Sequence, residues 1–331
     1  MSAVLRPRLE QQAAVLTAPR TIQLRSCDIP EPAAGEVRVR LQGCGVCASS
    51  LPLWEGRPWF KYPIEPGTPG HEGWGIVDAR GEGVTDLDIG ERVALISNHA
   101  FAQFDVAPRA AVVKLPSALD GQPFPGEPIG CAMNIFERSD IRADHGVAIV
   151  GAGFLGALLT QLATHIGAEV TVLSHRDYSL EVARSAGAKH VLNSVDPHQA
   201  QHRAMDLTGR RGFDRVIECA GVQTTLDLAS AITAERARLV IAGYHQDGLR
   251  QVNMQEWNWR GLDVVNAHER AIERYATGIE AGVTAVLDGR IDPFSLLTHS
   301  LSLLQLAHGF DLLSTRPHGF MKAVVTMGEQ Q

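Results

Sequence analysis

An apolar run, Gly146-Val-Ala-Ile-Val150, passes straight into the pattern Gly151-x-Gly153-x-x-Gly156, and an amphipathic segment follows at once. Leu155, Leu158, Leu159, Leu162, Ala163 and Ile166 keep the spacing of a helix with one buried face, and residues 170–173 read as the next buried strand. Strand, glycine turn, helix and strand in that order make a unit that can hold a dinucleotide. The first glycine permits the tight turn, the second lets backbone approach the phosphates, and the third lets helix pack on strand. The free N–H groups and dipole of the helix start would hold the pyrophosphate, so Gly151, Gly153, Phe154, Leu155 and Gly156 are the expected cofactor-binding positions.

A chain of 331 residues exceeds what one hydrophobic core usually supports, so two domains are expected. With 30 basic against 37 acidic residues and no Lys/Arg-rich block, nucleic acid and anionic membrane are not expected partners. The opening Met-Ser-Ala-Val-Leu-Arg-Pro-Arg is followed by polar residues instead of an apolar leader core, and no apolar stretch reaches membrane-spanning length. A cytoplasmic location is therefore expected. Five cysteines form an odd, sparse set, which fits reduced thiols and no disulfide framework.

Short β-type runs at 36–41, 75–78, 92–96 and 111–115, broken by Pro/Gly turns, have the texture of a small irregular barrel. A Pro/Gly-rich stretch at 116–128 marks a boundary. Beyond it, strands at 215–219 and 237–242, each followed by glycine, alternate with helical stretches around 180–186 and 224–232. Such alternation predicts a parallel, doubly wound sheet. The expected division is 1–118 for the β-rich domain, 119–260 for the nucleotide domain, and 261–331 as a segment returning to the first domain. That last part reads as a strand at 262–265, a helix at 270–287 and a final strand at 322–326.

Upstream lie Gly43-Cys44-Gly45-Val46-Cys47-Ala48-Ser49-Ser50 and Pro69-Gly70-His71-Glu72-Gly73. A catalytic zinc takes three protein groups from Cys, His and carboxylate and keeps one position open. Cys47 and His71 supply thiolate and imidazole, and Glu127 can close the set from the domain boundary. Glu72 competes with Glu127 as third ligand. Adjacent residues on a regular strand point to opposite faces, so His71 and Glu72 reach one ion only if the backbone bends, which Gly70 and Gly73 permit. Taken singly, Cys47 reads as a buried thiol, His71 as a core imidazole and the glutamates as solvated carboxylates; in combination they read as a metal site. Cys44 and Cys47 also spell C-x-x-C, a pattern of redox pairs and of half a structural zinc site; no second C-x-x-C completes the latter, and Cys44 is read as structural.

These segments, with Phe101-Ala-Gln-Phe104, Glu127-Pro128 and Val216-Ile-Glu-Cys-Ala-Gly221, resemble the medium-chain dehydrogenase/reductase superfamily over almost the whole chain. The Glu-Pro and Gly-His-Glu segments look most like the sorbitol and threonine dehydrogenase branch. The resemblance implies a GroES-like catalytic domain, a Rossmann domain, an active-site cleft between them, and a homodimer or homotetramer. It also implies a zinc-dependent oxidation of an alcohol, of polyol or sugar-derived type, with hydride passing to the nicotinamide and Ser49 relaying the substrate proton.

Three departures from the family pattern carry information. The structural zinc lobe is missing, since the chain runs Ala94-Leu-Ile-Ser-Asn-His-Ala100, so at most one zinc per chain is expected. The usual aspartate after the relay hydroxyl is Ser50, which bears on how His71 is oriented. The second strand of the nucleotide domain ends in Ser174-His175-Arg176 where an acid would grip the ribose of NAD. These residues predict a preference for NADP(H), against the nearby Asp177.

Trp54, His99, Trp257, Trp259 and His268 are candidates to line a substrate pocket, each weighed against plain packing or surface roles; Trp257 and Trp259 would face one side if they sat on a strand. Two rival readings share the scaffold. One is a zinc-free quinone or enone reductase, which has no need of Cys47, His71 and Glu127 together; the other is a non-catalytic NADP(H)-binding protein.

Overall fold

The computed structural model describes residues 9–328. The opening segment read above for the absence of a leader lies outside that range. Among the described residues two compact units are present: 9–127, 299–316 and 322–328 in the first, 128–298 and 317–321 in the second.

The first unit begins with the hairpin β1 (Glu10–Ala18) and β2 (Thr21–Asp28). Then come β3 (Glu36–Gly45), the short helix α1 (Leu51–Glu55), β4 (Gly73–Arg80), β5 (Arg92–Leu95), β6 (Phe104–Pro108) and β7 (Val112–Lys114). The second unit takes α2 (Gly126–Ser139), whose first turn contains the boundary, then β8 (Gly146–Val150), α3 (Phe154–His165), β9 (Glu169–Ser174), α4 (Asp177–Ser185), β10 (His190–Asn193) and α5 (Pro197–Leu207). It continues through β11 (Phe213–Glu218), α6 (Gln223–Ile232), β12 (Thr233–Ile241), α7 (Met254–Arg260), β13 (Asp263–Asn266) and α8 (Ile272–Leu287). The chain returns to the first unit as β14 (His299–Ser302), α9 (Leu306–Thr315) and β15 (Ala323–Thr326).

In the first unit the sheet order is β14-β15-β3-β4-β5-β7, with β6 also paired to β3. This is the GroES-like half of the expected architecture. β15 sets Val325 opposite Cys44 and Val324 opposite Gly45, so the far end of the chain is stitched to the strand that leads into Cys47.

The second unit is the doubly wound half. Its sheet runs β10-β9-β8-β11-β12-β13, all parallel. Successive residues of a strand face opposite sides, and here both sides are buried, as a parallel sheet between helices requires. Val147 and Ile149 join Val170, Val172, Ile217 and Val240 in one core, while Ala148 and Val150 join Leu173, Val216 and Leu239 in the other. Leu158, Leu159, Leu162 and Ala163 of α3 are buried as the periodicity required.

Several expectations need correction. Residues 261–298 stay in the second unit, because β13 continues the parallel sheet beside β12, and the return begins at His299. The first boundary falls at 127/128, inside α2, not at 118/119. Trp257 and Trp259 lie on the helix α7, where residues two apart face nearly opposite ways; Trp257 is buried at 9% exposure and Trp259 stands out at 87%. β1, β2, β6, β10, β14, α1, α5, α7 and α9 are not among the elements expected from sequence. For α5 the signal was available, since Asp196 caps the amides of His198 and Gln199 and Pro197 takes the first helical position.

Candidate metal centre and cofactor site

β3 delivers Cys44 into the core, then Gly45, Val46 and Cys47 turn into the 3₁₀ turn Ala48–Ser50. β4 does not begin until Gly73, so His71 and Glu72 sit in a bend ahead of it. The bend answers the question posed by two adjacent donors: Cys47, His71 and Glu72 each offer a ligand atom, all within 4.8 Å of one another. Gly70 makes the approach possible, because a Cβ there would lie 2.4 Å from the amide nitrogen of Phe101. Gly45 has a comparable role, as its Cβ would overlap Glu72 Oε2 at 1.7 Å.

His71 is oriented by backbone. Its Nδ1 lies 2.8 Å from the carbonyl oxygen of Pro69, so the ring donates from Nδ1 and leaves Nε2 for a metal. The missing aspartate at Ser50 is therefore compensated by a carbonyl two residues before the ligand. Burial works against a charged imidazole, but the Cys47 thiolate, its hydrogen bond, Glu127 and Glu72 together push the His71 pKa up to about 10. Ser49 stands alongside, with Oγ 3.2 Å from Cys47 Sγ and 3.5 Å from His71 Nε2.

Sequence reasoning missed Lys322. It is 5% exposed, and its Nζ lies 2.8 Å from Glu72 Oε1 and 2.6 Å from Oε2, with Val46 O at 3.3 Å. The Oε2 contact is an ion pair without the alignment of a hydrogen bond, so this oxygen keeps a lone pair available. Burial opposes the charge on Lys322, yet Glu72 and Cys47 hold its pKa above the usual lysine value. A lone lysine inside the apolar run Phe320-Met-Lys-Ala-Val-Val325 was the available signal. Glu127, on the first turn of α2, is near enough to raise both His71 and Lys322.

Cys44 is fully buried and structural in character, its thiol raised well above the usual value by burial and by Glu72. Trp54 is core, stacked on Phe310 at 5.1 Å. His99 lies between Glu65 and Asp105 at 3.3 and 4.0 Å. His268 packs against Tyr244 and Tyr275. Among the described residues no cysteine is in a disulfide, and no helix is long and apolar enough to cross a membrane.

At the glycine turn, Gly151 has φ +99°, a Cβ at Gly156 would lie 2.2 Å from the Gly151 carbonyl oxygen, and Gly153 faces open space at the start of α3. Only glycine fits at Gly151 and Gly156, whereas a side chain at Gly153 would meet open space. At the end of β9, Ser174 Oγ accepts from the Arg176 amide at 3.2 Å, and the Arg176 guanidinium donates to the Phe320 carbonyl. Asp177 opens α4 and accepts from Asn193 Nδ2 at 3.2 Å. His175 lies between Ser174 and Arg176 in this turn.

Comparison with known proteins places this geometry in a lineage. The family model "Alcohol dehydrogenase GroES-like domain" matches residues 33–117 and "Zinc-binding dehydrogenase" matches residues 155–287. Galactitol 1-phosphate 5-dehydrogenase of Escherichia coli K12 is 31% identical over 245 residues, covering 64% of this chain and 69% of that protein. 2-Dehydro-3-deoxy-L-galactonate 5-dehydrogenase of Pseudoalteromonas atlantica is 27% identical over 329 residues, covering 91% and 94%. A candidate zinc-binding dehydrogenase of Sinorhizobium meliloti 1021, solved with NADP, superposes with TM-score 0.82 at 25% identity over 97% of this chain and all of that one. An alcohol dehydrogenase of Escherichia coli CFT073, solved with NADH, shares the fold with TM-score 0.85 at 24% identity, covering 96% and 99%. With both family models matched in order, the chain belongs to the zinc-binding alcohol dehydrogenases of the medium-chain dehydrogenase/reductase superfamily, oxidoreductases that act on alcohols with a nicotinamide cofactor.

Proposed function

We propose that the protein interconverts a polyol or sugar-derived alcohol and its carbonyl product, with one zinc per chain and NADP(H) as the preferred cofactor. The observation that carries this reading is the convergence of Cys47, His71 and a carboxylate, with the Ser49 hydroxyl beside the two conventional ligands. The named relatives that act on galactitol 1-phosphate and on a deoxygalactonate support the substrate class.

Cys47 and His71 would hold the metal with a carboxylate as third ligand, either Glu72, which converges with them and has its charge offset by Lys322, or Glu127 from the first turn of α2. When bound, zinc supplies Lewis-acid polarisation of the alcohol oxygen. The rest is done by the chain. With a metal bound, so that His71 is neutral and Cys47 is a thiolate, the thiolate and two carboxylates against one buried ammonium would give the pocket a net charge that suits a dication. Pro69 fixes the imidazole so that Nε2 is available, and Ser49 takes the hydroxyl proton of the substrate and passes it outward. The glycine turn seats the pyrophosphate, and Ser174, His175 and Arg176 offer donors to a ribose phosphate. Asp177 is turned to Asn193 instead of standing in the acid's usual place, which favours NADP(H).

A homodimer or homotetramer belongs to the same proposal. β13 is an edge strand of the parallel sheet, and Trp259 and Met254 stand exposed at 87% and 61% on the adjoining α7. Apolar surface beside an unpaired strand edge fits a second copy of this chain.

Elemental analysis of purified wild type, Cys47→Ala and His71→Ala, paired with an oxidation screen over polyols and sugar alcohols, tests the reading. Zinc near one per chain in the wild type, lost together with turnover in both variants, is the expected result. Metal-free protein that turns over an alcohol at the wild-type rate would instead favour the quinone-reductase reading.

A further inference from the structure

Glu218 closes β11 as a fully buried carboxylate that the catalytic reading above leaves unused. Its Oε1 accepts from the amides of Ala220 and Gly221, each at 2.8 Å, and from Thr225 Oγ1 at 2.7 Å. Its Oε2 lies 3.0 Å from His245 Nε2, on the segment that follows β12. Arg250 Nε then donates to His245 Nδ1 at 3.0 Å, and Arg250 Nη2 reaches back to the Gly221 carbonyl at 3.0 Å. A side chain at Gly243 would put Cβ 2.6 Å from Glu218 Oε2 and 2.3 Å from the Gly221 amide, so the two strand-end loops are in direct contact. Gln223 and Gln251 add a reciprocal pair of hydrogen bonds between the same loops.

The direction of this chain of bonds is fixed. An arginine Nε–H can only donate, so His245 Nδ1 must accept, and the ring proton must sit on Nε2, where it is donated to Glu218. The network is therefore a polar relay with one allowed arrangement. Its location gives it a purpose. In a doubly wound sheet of this order the dinucleotide lies across the carboxyl ends of the strands and bridges the two halves. The glycine turn after β8 and the Ser174-His175-Arg176 turn after β9 take the pyrophosphate and the adenosine ribose. The nicotinamide half is left to the ends of β11 and β12, where Glu218 and His245 stand.

We propose that Glu218, His245 and Arg250 are positioning residues that clamp segment 243–251 across the end of β11 and so shape the nicotinamide half of the cofactor site. The proposal rests on the cofactor reading above. It requires that breaking the relay weakens the grip on the nicotinamide portion and spares the adenosine portion. It also makes a claim about polarity. In Glu218→Gln an amide N–H faces the His245 N–H; if the imidazole moves its proton to Nδ1, that N–H faces Arg250 instead. Either way two donors meet. Arg250→Gln places an acceptor on the same Cδ that carries Nε, so the pair Glu218→Gln/Arg250→Gln restores a complete relay running the other way.

Calorimetric titration of NADH, NADPH and ADP-ribose, which lacks the nicotinamide ring, tests this on the intact chain. In Glu218→Gln and His245→Phe, affinity for the dinucleotides is expected to fall about tenfold or more, the worth of a charged hydrogen bond, with ADP-ribose unchanged. Glu218→Gln/Arg250→Gln should recover most of that loss. Equal losses for ADP-ribose and dinucleotide, wild-type dinucleotide affinity in Glu218→Gln, or no recovery in the double variant would each overturn the proposal. A wild-type protein that binds none of the three ligands would overturn the cofactor reading, and this proposal with it.

Discussion

Lys322 and Glu72, 250 positions apart, form a buried ion pair with Nζ 2.6 Å from one carboxylate oxygen and 2.8 Å from the other. Glu72 is completely enclosed and Lys322 nearly so. The pairing ties the residue just ahead of β15 to the neighbour of His71, and it makes the candidate metal pocket depend on how β15 docks on β3. Removing one partner of such a pair leaves an uncompensated buried charge. Lys322→Met should destabilise the metal-free protein by about 3–5 kcal/mol in urea unfolding. Lys322→Met/Glu72→Gln should cost less than the sum of the single changes; strict additivity would show that the two charges do not depend on each other.

The two glutamates should separate by zinc content. Glu127→Gln is expected to lose most of the metal, while Glu72→Gln, whose main partner is Lys322, should lower zinc affinity by about 10–100-fold. Competition against a fluorescent chelator reads both. The reverse ranking would make Glu72 the ligand and Glu127 the supporting carboxylate.

Ser49 sits where it can take a proton without holding the metal. Ser49→Ala should therefore cut turnover by about 10²–10⁴-fold, the usual worth of a positioned proton-transfer group, with zinc content unchanged. A rate near that of the wild type across the pH range would remove Ser49 from the reaction.

Arg176 should decide between the two cofactors. Arg176→Ala is expected to weaken NADP(H) by about 5- to 150-fold and to leave NAD(H) nearly unaffected. Titration of both cofactors against both proteins measures this, and a wild type that binds NAD(H) equally well or more tightly would reverse the assignment.

The paired tryptophans of α7 offer a contrast in packing. Trp257 is buried and donates to Ser230 Oγ at 2.5 Å, so Trp257→Ala should cost about 3–5 kcal/mol. Trp259→Ala should change monomer stability by no more than about 0.5 kcal/mol. If Trp259 faces a second copy, light scattering of that variant will show a shift toward smaller species; an unchanged mass would remove it from the interface.

The parallel half of the fold was legible from sequence because its signals are local. Strand 146–150, the three glycines and the periodic face of α3 are contiguous, and Gly156 meets a steric demand set by a near neighbour, the Gly151 carbonyl. Cys47 and Ser49, two residues apart, and His71 within Gly-His-Glu were legible as residue types in short segments. What the sequence could not fix was anything that depended on distant segments meeting. The bend that lets His71 and Glu72 share a site, the carbonyl of Pro69 behind the imidazole, and the partner of Glu72 all follow from how β3, β4 and β15 pair. Trp257 and Trp259 show the same limit at short range, since periodicity over three residues does not distinguish helix from strand, and only packing of α7 against Ser230 decided it. Local sequence determined which chemical groups are available; tertiary pairing decided which of them are neutralised and which stay free to bind, because a buried charge takes its character from the partner the fold brings to it.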